Sequence, residues 1–171
     1  MPIKNKILVR NAREQDIPAV VEIDTEAFAS YGTAETSETF QHRLTAFPDG
    51  FVILVTEHEI AAYGCSEKWM TEREPGLDED ASVTHQQDGR VLCITAMAVK
   101  KKYQGRGYGL VVLDKMLEVA HNQGCRQIVL ETTHAQELYQ KRGFKTIKNR
   151  TERGISLDVM SLDIESYGSK A

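Results

Sequence analysis

The run Val91–Val99 (VLCITAMAV) is apolar or small at nearly every position and leads through Lys100-Lys101-Lys102-Tyr103 into Gln104-Gly105-Arg106-Gly107-Tyr108-Gly109. An unbroken apolar run of this length reads as a strand covered on both faces, because a strand with one wet face alternates. Beyond the glycines, Leu110, Leu113, Met116, Leu117 and Ala120 recur at steps of three and four, with Asp114, Lys115, Glu118 and His121 opposite. That spacing predicts a helix from Gly107 to Asn122, ended by Gly124. Gln127–Thr132 then resumes a β-rich pattern. Strand, loop, helix and strand in this order need a crossover, so the two strands are parallel and their connection right-handed. The fold class is therefore α/β, a mixed sheet whose central parallel strand pair is flanked by helices.

The remaining elements fit around this unit. Ile7–Arg10 reads as a first strand. Asp16 offers a cap and Pro18 a first turn to a helix whose stripe is Ile17, Val20, Val21 and Phe28. A second helix is expected from Ser37, as its cap, to Thr45. Phe51–Thr56 and Ile60–Met70, separated by Glu57-His58-Glu59, form a hairpin. Residues 71–90 carry six acidic residues with Pro75, Gly76 and Gly89 and show neither apolar period, so a long acidic loop is expected. Ala135–Arg142 is a short helix stopped by Gly143, Phe144–Lys148 is extended, and a last strand follows Gly154. In that strand Ile155, Leu157 and Val159 alternate in one phase and Met160, Leu162 and Ile164 in the other, which predicts a β-bulge near Val159. Tyr167–Ala171 is expected to fray. A length of 171 residues with 41% hydrophobic and 27% charged composition suits one domain spanning residues 1–171.

Charge and cysteine content narrow the function classes. A net charge of −4 argues against nucleic-acid binding through bulk electrostatics. Cys65, Cys93 and Cys125 have no C-x-x-C spacing and read as buried thiols. His85 and His134 have no metal-ligand spacing, so no metal site is expected. No apolar run reaches the ~20 residues of a membrane span, and the amino terminus lacks a signal-peptide core, so no membrane association and a cytoplasmic location are expected.

Glycine at 105, 107 and 109 leaves backbone N–H groups uncovered just where the next helix adds its own unpaired N–H groups and the positive end of its dipole. An anionic, phosphate-bearing ligand is expected there. The P-loop is excluded because Leu110-Val111 follows Gly109 in place of Lys-Ser/Thr. The dinucleotide fingerprint is missed because Leu110 stands where its third glycine belongs.

The pattern that remains, Gln/Arg-x-x-Gly-x-Gly/Ala between a central strand and a helix, resembles the coenzyme A loop of the GNAT (GCN5-related) N-acetyltransferases. Met97-Ala98-Val99 takes the place of that family's apolar triplet, and Ala135 with Leu138-Tyr139-Gln140-Lys141-Arg142-Gly143-Phe144 is similar to its second signature, Ala-x-x-x-Tyr-x-x-x-Gly-Phe. The resemblance implies that Gln104, Gly105, Arg106, Gly107, Tyr108, Gly109 and Leu110 hold the pyrophosphate of acetyl-CoA. It also implies that main-chain groups of Met97, Ala98 and Val99 pair with the pantetheine arm, with Ala135 alongside, and that Tyr139 sits near the thioester sulfur. Lys101 stands where proline is common, and Thr132 where many members place a pantetheine-binding asparagine.

The implied reaction is transfer of an acetyl group from acetyl-CoA, as co-substrate, to a primary amine of a small molecule or peptide. Tyr139 protonates the leaving thiolate as general acid. An alkyl amine of pKa about 10.4 is free base at roughly one part in a few thousand near pH 7, so a proton acceptor is needed. No carboxylate lies between Val91 and Val99; Glu131 is the nearest candidate, with Glu26, Asp24, His85 and His134 as others. The acceptor site is expected about Phe28 to Phe47 and residues 71–90. Two rivals stand beside this reading: a non-catalytic acyl-CoA-binding regulatory module, and a dinucleotide-dependent oxidoreductase. A homodimer is compatible with it.

Overall fold

The computed structural model describes residues 6–73 and 75–164. In chain order the strands and helices are β1 (Leu8–Asn11), α1 (Ile17–Phe28), α2 (Ser37–Ala46), β2 (Phe51–Val55), β3 (Ile60–Trp69), α3 (Ala81–Thr84), β4 (Val91–Val99), α4 (Tyr108–Asn122), β5 (Gln127–Thr132), α5 (Gln136–Gln140), β6 (Lys145–Glu152) and β7 (Ile155–Asp163). The strands form one seven-stranded sheet in the order β1-β2-β3-β4-β5-β7-β6. Neighbours are antiparallel except β4 and β5, which run parallel as the crossover requires.

Both faces are covered. On one, Val112, Leu113 and Met116 of α4 pack on Leu92, Ile94, Ile128, Leu130, Met160 and Leu162. On the other, Ile17, Val20 and Ile23 of α1 and Phe40 of α2 pack on Phe51, Ile53, Tyr63 and Cys65. Burying each large apolar side chain contributes about 1.5–3 kcal/mol, so these two layers hold the sheet between them. The three cysteines are buried and unpaired, as expected.

One irregularity positions the site. Cys65 pairs with Ala96 but Ser66 pairs with Ile94, so Thr95 is an extra residue in β4. A bulge reverses the inward–outward alternation beyond it. Leu92 and Ile94 face α4 before the bulge; after it Met97 faces α4 and Ala98 faces α1.

Several expectations change. The cap of α2 is Thr36, whose Oγ1 accepts from the Thr39 N–H, and not Ser37. Asp16 precedes α1 without capping it, because its carboxylate is taken by the Arg10 guanidinium and the Arg13 N–H. The acidic segment contains α3, with Asp80 as cap. The bulge predicted near Val159 lies across the ladder: Met160 pairs with Thr146 and Val159 with Lys148, so Ile147 of β6 is the extra residue. Strand β7 itself pairs regularly with β5, and its two phases are both buried because each face of the sheet is covered there. The expectation for Tyr167–Ala171 lies outside the described residues. No helix among the described residues is long and apolar enough to cross a membrane.

Candidate functional site

Strands β4 and β5 pair only over Val91–Cys93 and Gln127–Val129, then diverge where Thr95 bulges. The opening leads into a cavity of about 400 Å³ that runs from the glycine loop, past Met97 and Tyr139, to Asp24, Glu67 and Leu157 on the α1 side of the sheet. The cavity therefore crosses the sheet and has two dissimilar halves.

The first half is made by main chain. Gly105 and Gly107 have φ of +82° and +81°, which L side chains rarely adopt, so glycine is needed at both. Among the described residues the six successive N–H groups from Gly105 to Leu110 have no acceptor, and Val111 is the first to close a helical bond, to Gly107. Together with the dipole of the 15-residue α4 they form a cradle for an anion. Tyr108 is buried against Tyr103, so it serves this cradle through its N–H and not its ring. The Arg106 guanidinium lies 5.3 Å over the Tyr103 ring at the exposed rim, and the Gln104 amide reaches the Val99 carbonyl at 3.4 Å. Lys100 and Lys102 are held by Glu59 at 2.7 and 2.9 Å, and the Lys101 N–H by Glu26.

Tyr139 stands where the halves meet. It is buried with its ring edge-on to Phe144, lines the cavity, and its hydroxyl has no hydrogen bond among the described residues. Burial holds the phenol well above its ordinary pKa, so it is a neutral donor at pH 7. Thr132 Oγ1 accepts from the N–H groups of Ala135 and His134 and so fixes the turn into α5. Its own hydroxyl proton remains to donate.

The second half is made by side chains. Asp24, Glu35, Glu67, Glu79 and Glu131 all line it. Arg43 is bidentate to Glu35 at 2.9 and 2.7 Å, Arg73 to Glu79 at 3.2 and 2.8 Å, and Arg150 to Glu131 at 2.7 and 2.8 Å. Asp24 and Glu67 differ: Asp24 accepts from the Tyr63 hydroxyl and the Glu35 N–H, and Glu67 from Trp69 Nε1 and the Thr84 hydroxyl. Burial raises the Asp24 carboxyl to about 6 against those donors. The Glu131 carboxyl is also raised by burial, with Arg150 opposing.

Of the expected proton acceptors, Asp24, Glu131 and His134 line the cavity. His134 sits at its rim, stacked on Tyr31 at 4.2 Å. His85 does not line it; its Nδ1 accepts from the Lys68 N–H and its ring stacks on Phe47. The segments expected about the acceptor, Phe28 to Phe47 and residues 71–90, contribute Phe28, Thr33, Glu35, Arg43, Leu77 and Glu79 to the cavity lining, whereas Glu67 of β3 lies outside them and sequence reasoning does not single out Thr33 and Arg43. The available signals were an arginine on the apolar stripe of α2 and a glutamate inside the buried run of β3.

A model of the acetyltransferase (GNAT) family matches residues 17–144. A candidate ribosomal protein bS18-alanine N-acetyltransferase of Bacillus subtilis (strain 168) is 28% identical over 148 residues, 84% of this chain and 83% of that protein. Among solved structures, the loading GNATL domain of CurA from Lyngbya majuscula superposes with TM-score 0.81 at 17% identity, over 95% of this chain and 100% of that one. YncA of Salmonella typhimurium, described as an acetyltransferase with its cofactor acetyl-CoA, superposes with TM-score 0.70 at 16% identity, over 94% and 95%.

Proposed function

This chain belongs to the acetyltransferase (GNAT) family, using acetyl-CoA as co-substrate, and from that premise we propose that it acetylates a primary alkyl amine by direct attack on the thioester, with Tyr139 as general acid. The observation that carries the reading is the row of six N–H groups from Gly105 to Leu110 that have no acceptor among the described residues, placed at the mouth of a cavity that Tyr139 also lines. These donors, with Gln104 and Arg106 at the rim, hold the diphosphate. The open edge of β4 at Met97, Ala98 and Val99 pairs with the pantetheine arm as an added strand would, and Thr132 of β5 and Ala135, just before α5, flank it.

The amine nitrogen bonds to the thioester carbon, giving a tetrahedral oxyanion that the β4 N–H groups near Met97 stabilise. The carbon–sulfur bond then breaks, and the Tyr139 hydroxyl gives its proton to the departing sulfur, to be reprotonated from solvent. Asp24 takes the proton that the amine loses. Glu131, the carboxylate nearest in sequence, is ion-paired to Arg150, whereas the hydrogen-bond donors on Asp24 are neutral, and in this reading Glu131 shapes the cavity wall.

The test is thiol release from acetyl-CoA with a panel of amines, including an alanine-initiated peptide, beside calorimetric titration of acetyl-CoA. Binding with amine-dependent thiol release is expected. Binding without turnover of any amine leaves the acyl-CoA-binding module, and no binding removes the reading.

A further inference from the structure

Three of the five carboxylates in the acceptor half are neutralised by a bidentate arginine, and two are not. Asp24 and Glu67 are 1% and 2% exposed, and no cation lies within ion-pair distance of either among the described residues. Burying a carboxylate against neutral donors alone is costly and is relieved by a cation that arrives with a ligand. An independent feature marks the same place. Thr33, 9% exposed, lines the cavity, and its Oγ1 is buried with no hydrogen-bond partner among the described residues.

The two carboxylates belong to different ends of one stretch of β3, Asp24 through its contact with the Tyr63 hydroxyl and Glu67 directly. Tyr63, the donor to Asp24, pairs with Ala98 beside the donor end of β4, whereas Glu67 pairs with Cys93, where β4 and β5 close together. Tyr63 and Glu67 share a face of β3 four residues apart, about 13 Å at roughly 3.3 Å per residue. An extended four-carbon chain sets its terminal nitrogens roughly 6 Å apart, and with a charge-assisted hydrogen bond of about 2.8 Å at each end it reaches roughly 12 Å, the scale of that backbone span from Tyr63 to Glu67. Leu77 and Leu157 line the same cavity and offer apolar surface to methylenes.

We propose that the acceptor is a small aliphatic diamine, whose reacting nitrogen is held by Asp24 and Thr33 next to the thioester while Glu67 binds its second, ammonium end. This rests on the acetyltransferase reading above and names its substrate class. Glu67 is thereby a specificity-determining residue that touches the substrate away from the reacting atoms.

The experiment compares 1,4-diaminobutane, n-butylamine and an alanine-initiated peptide at fixed acetyl-CoA, for the wild type and for Glu67→Gln. In the wild type the diamine should exceed n-butylamine in kcat/KM by about ten- to hundredfold, the worth of one charge-assisted contact. Glu67→Gln should raise KM for the diamine, leave kcat within a few-fold, and bring the two amines close together. A wild-type ratio within about threefold, a ratio that Glu67→Gln does not change, or a preference for the peptide overturns the proposal while amine acetylation stands. Should no amine be turned over, the acetyltransferase reading fails by itself. Calorimetric titration of the wild-type protein with 1,4-diaminobutane and n-butylamine then still decides, since the diamine must bind more tightly.

Discussion

The two halves of the cavity are built from different materials. In the function proposed, the donor half works through main-chain N–H groups, which any sequence supplies once glycine permits the conformation, as the positive φ of Gly105 and Gly107 does here. The acceptor half works through side chains that arrive from α1, the α1–α2 loop, β3 and the 71–90 segment, each held by another side chain. A backbone cradle tolerates most substitutions except at its glycines, whereas a side-chain network is altered by the loss of any member.

Substitutions that separate these two modes should differ in what they disturb. The largest effect is expected at the seam: Tyr139→Phe should lower kcat roughly 10²–10⁴-fold with donor affinity unchanged, as read by steady-state kinetics beside acetyl-CoA calorimetry. A rate near wild type would reduce Tyr139 to a packing residue. In the acceptor half, Arg43→Met leaves Glu35 buried without its cation and should cost about 3–5 kcal/mol in chemical unfolding. In the donor half, Gly107→Val places a β-branched residue at φ +81°, although a Cβ there meets nothing within 4 Å. The strain of about 1–3 kcal/mol should appear as weaker acetyl-CoA binding with the fold retained. Retained affinity would remove the backbone cradle from the account.

A pH measurement isolates Asp24. Its folded-state pKa, about 6, lies above the ordinary 3.8, so the folded chain binds this proton more tightly than the unfolded one. The stabilisation is complete below pH 4 and is lost as pH rises through about 6. Asp24→Asn should flatten that segment of the stability profile measured by denaturant titration. The smallest effect belongs to Lys102→Ala, which removes an exposed, solvent-screened contact to Glu59 and should leave stability in a denaturant titration unchanged within measurement error.

Much of the donor half was legible because its signals are local. The bounds of β4 follow from an unbroken apolar run, those of β5 from a β-rich stretch, the acceptor-free turn from glycine spacing, and α4 from a 3.6-residue period. The α2 cap moved by one residue because Thr36 and Ser37 are both competent caps and only the backbone decides between them. The bulge beside β7 was sensed from its neighbour's two apolar phases, but which strand carries the extra residue depends on pairing. At Thr95 no signal existed, since a bulge in a run apolar on both faces leaves the pattern unchanged.

The amino-acid sequence alone specified the α/β class, the order of the elements and the glycine-rich loop that opens α4, because each is encoded within one stretch of chain. Only the folded molecule decided which carboxylates are neutralised. Among the described residues Asp24 and Glu67 have no cation at ion-pair distance, because Arg43, Arg73 and Arg150 are each aimed at another carboxylate, and that is set by packing among elements distant in sequence.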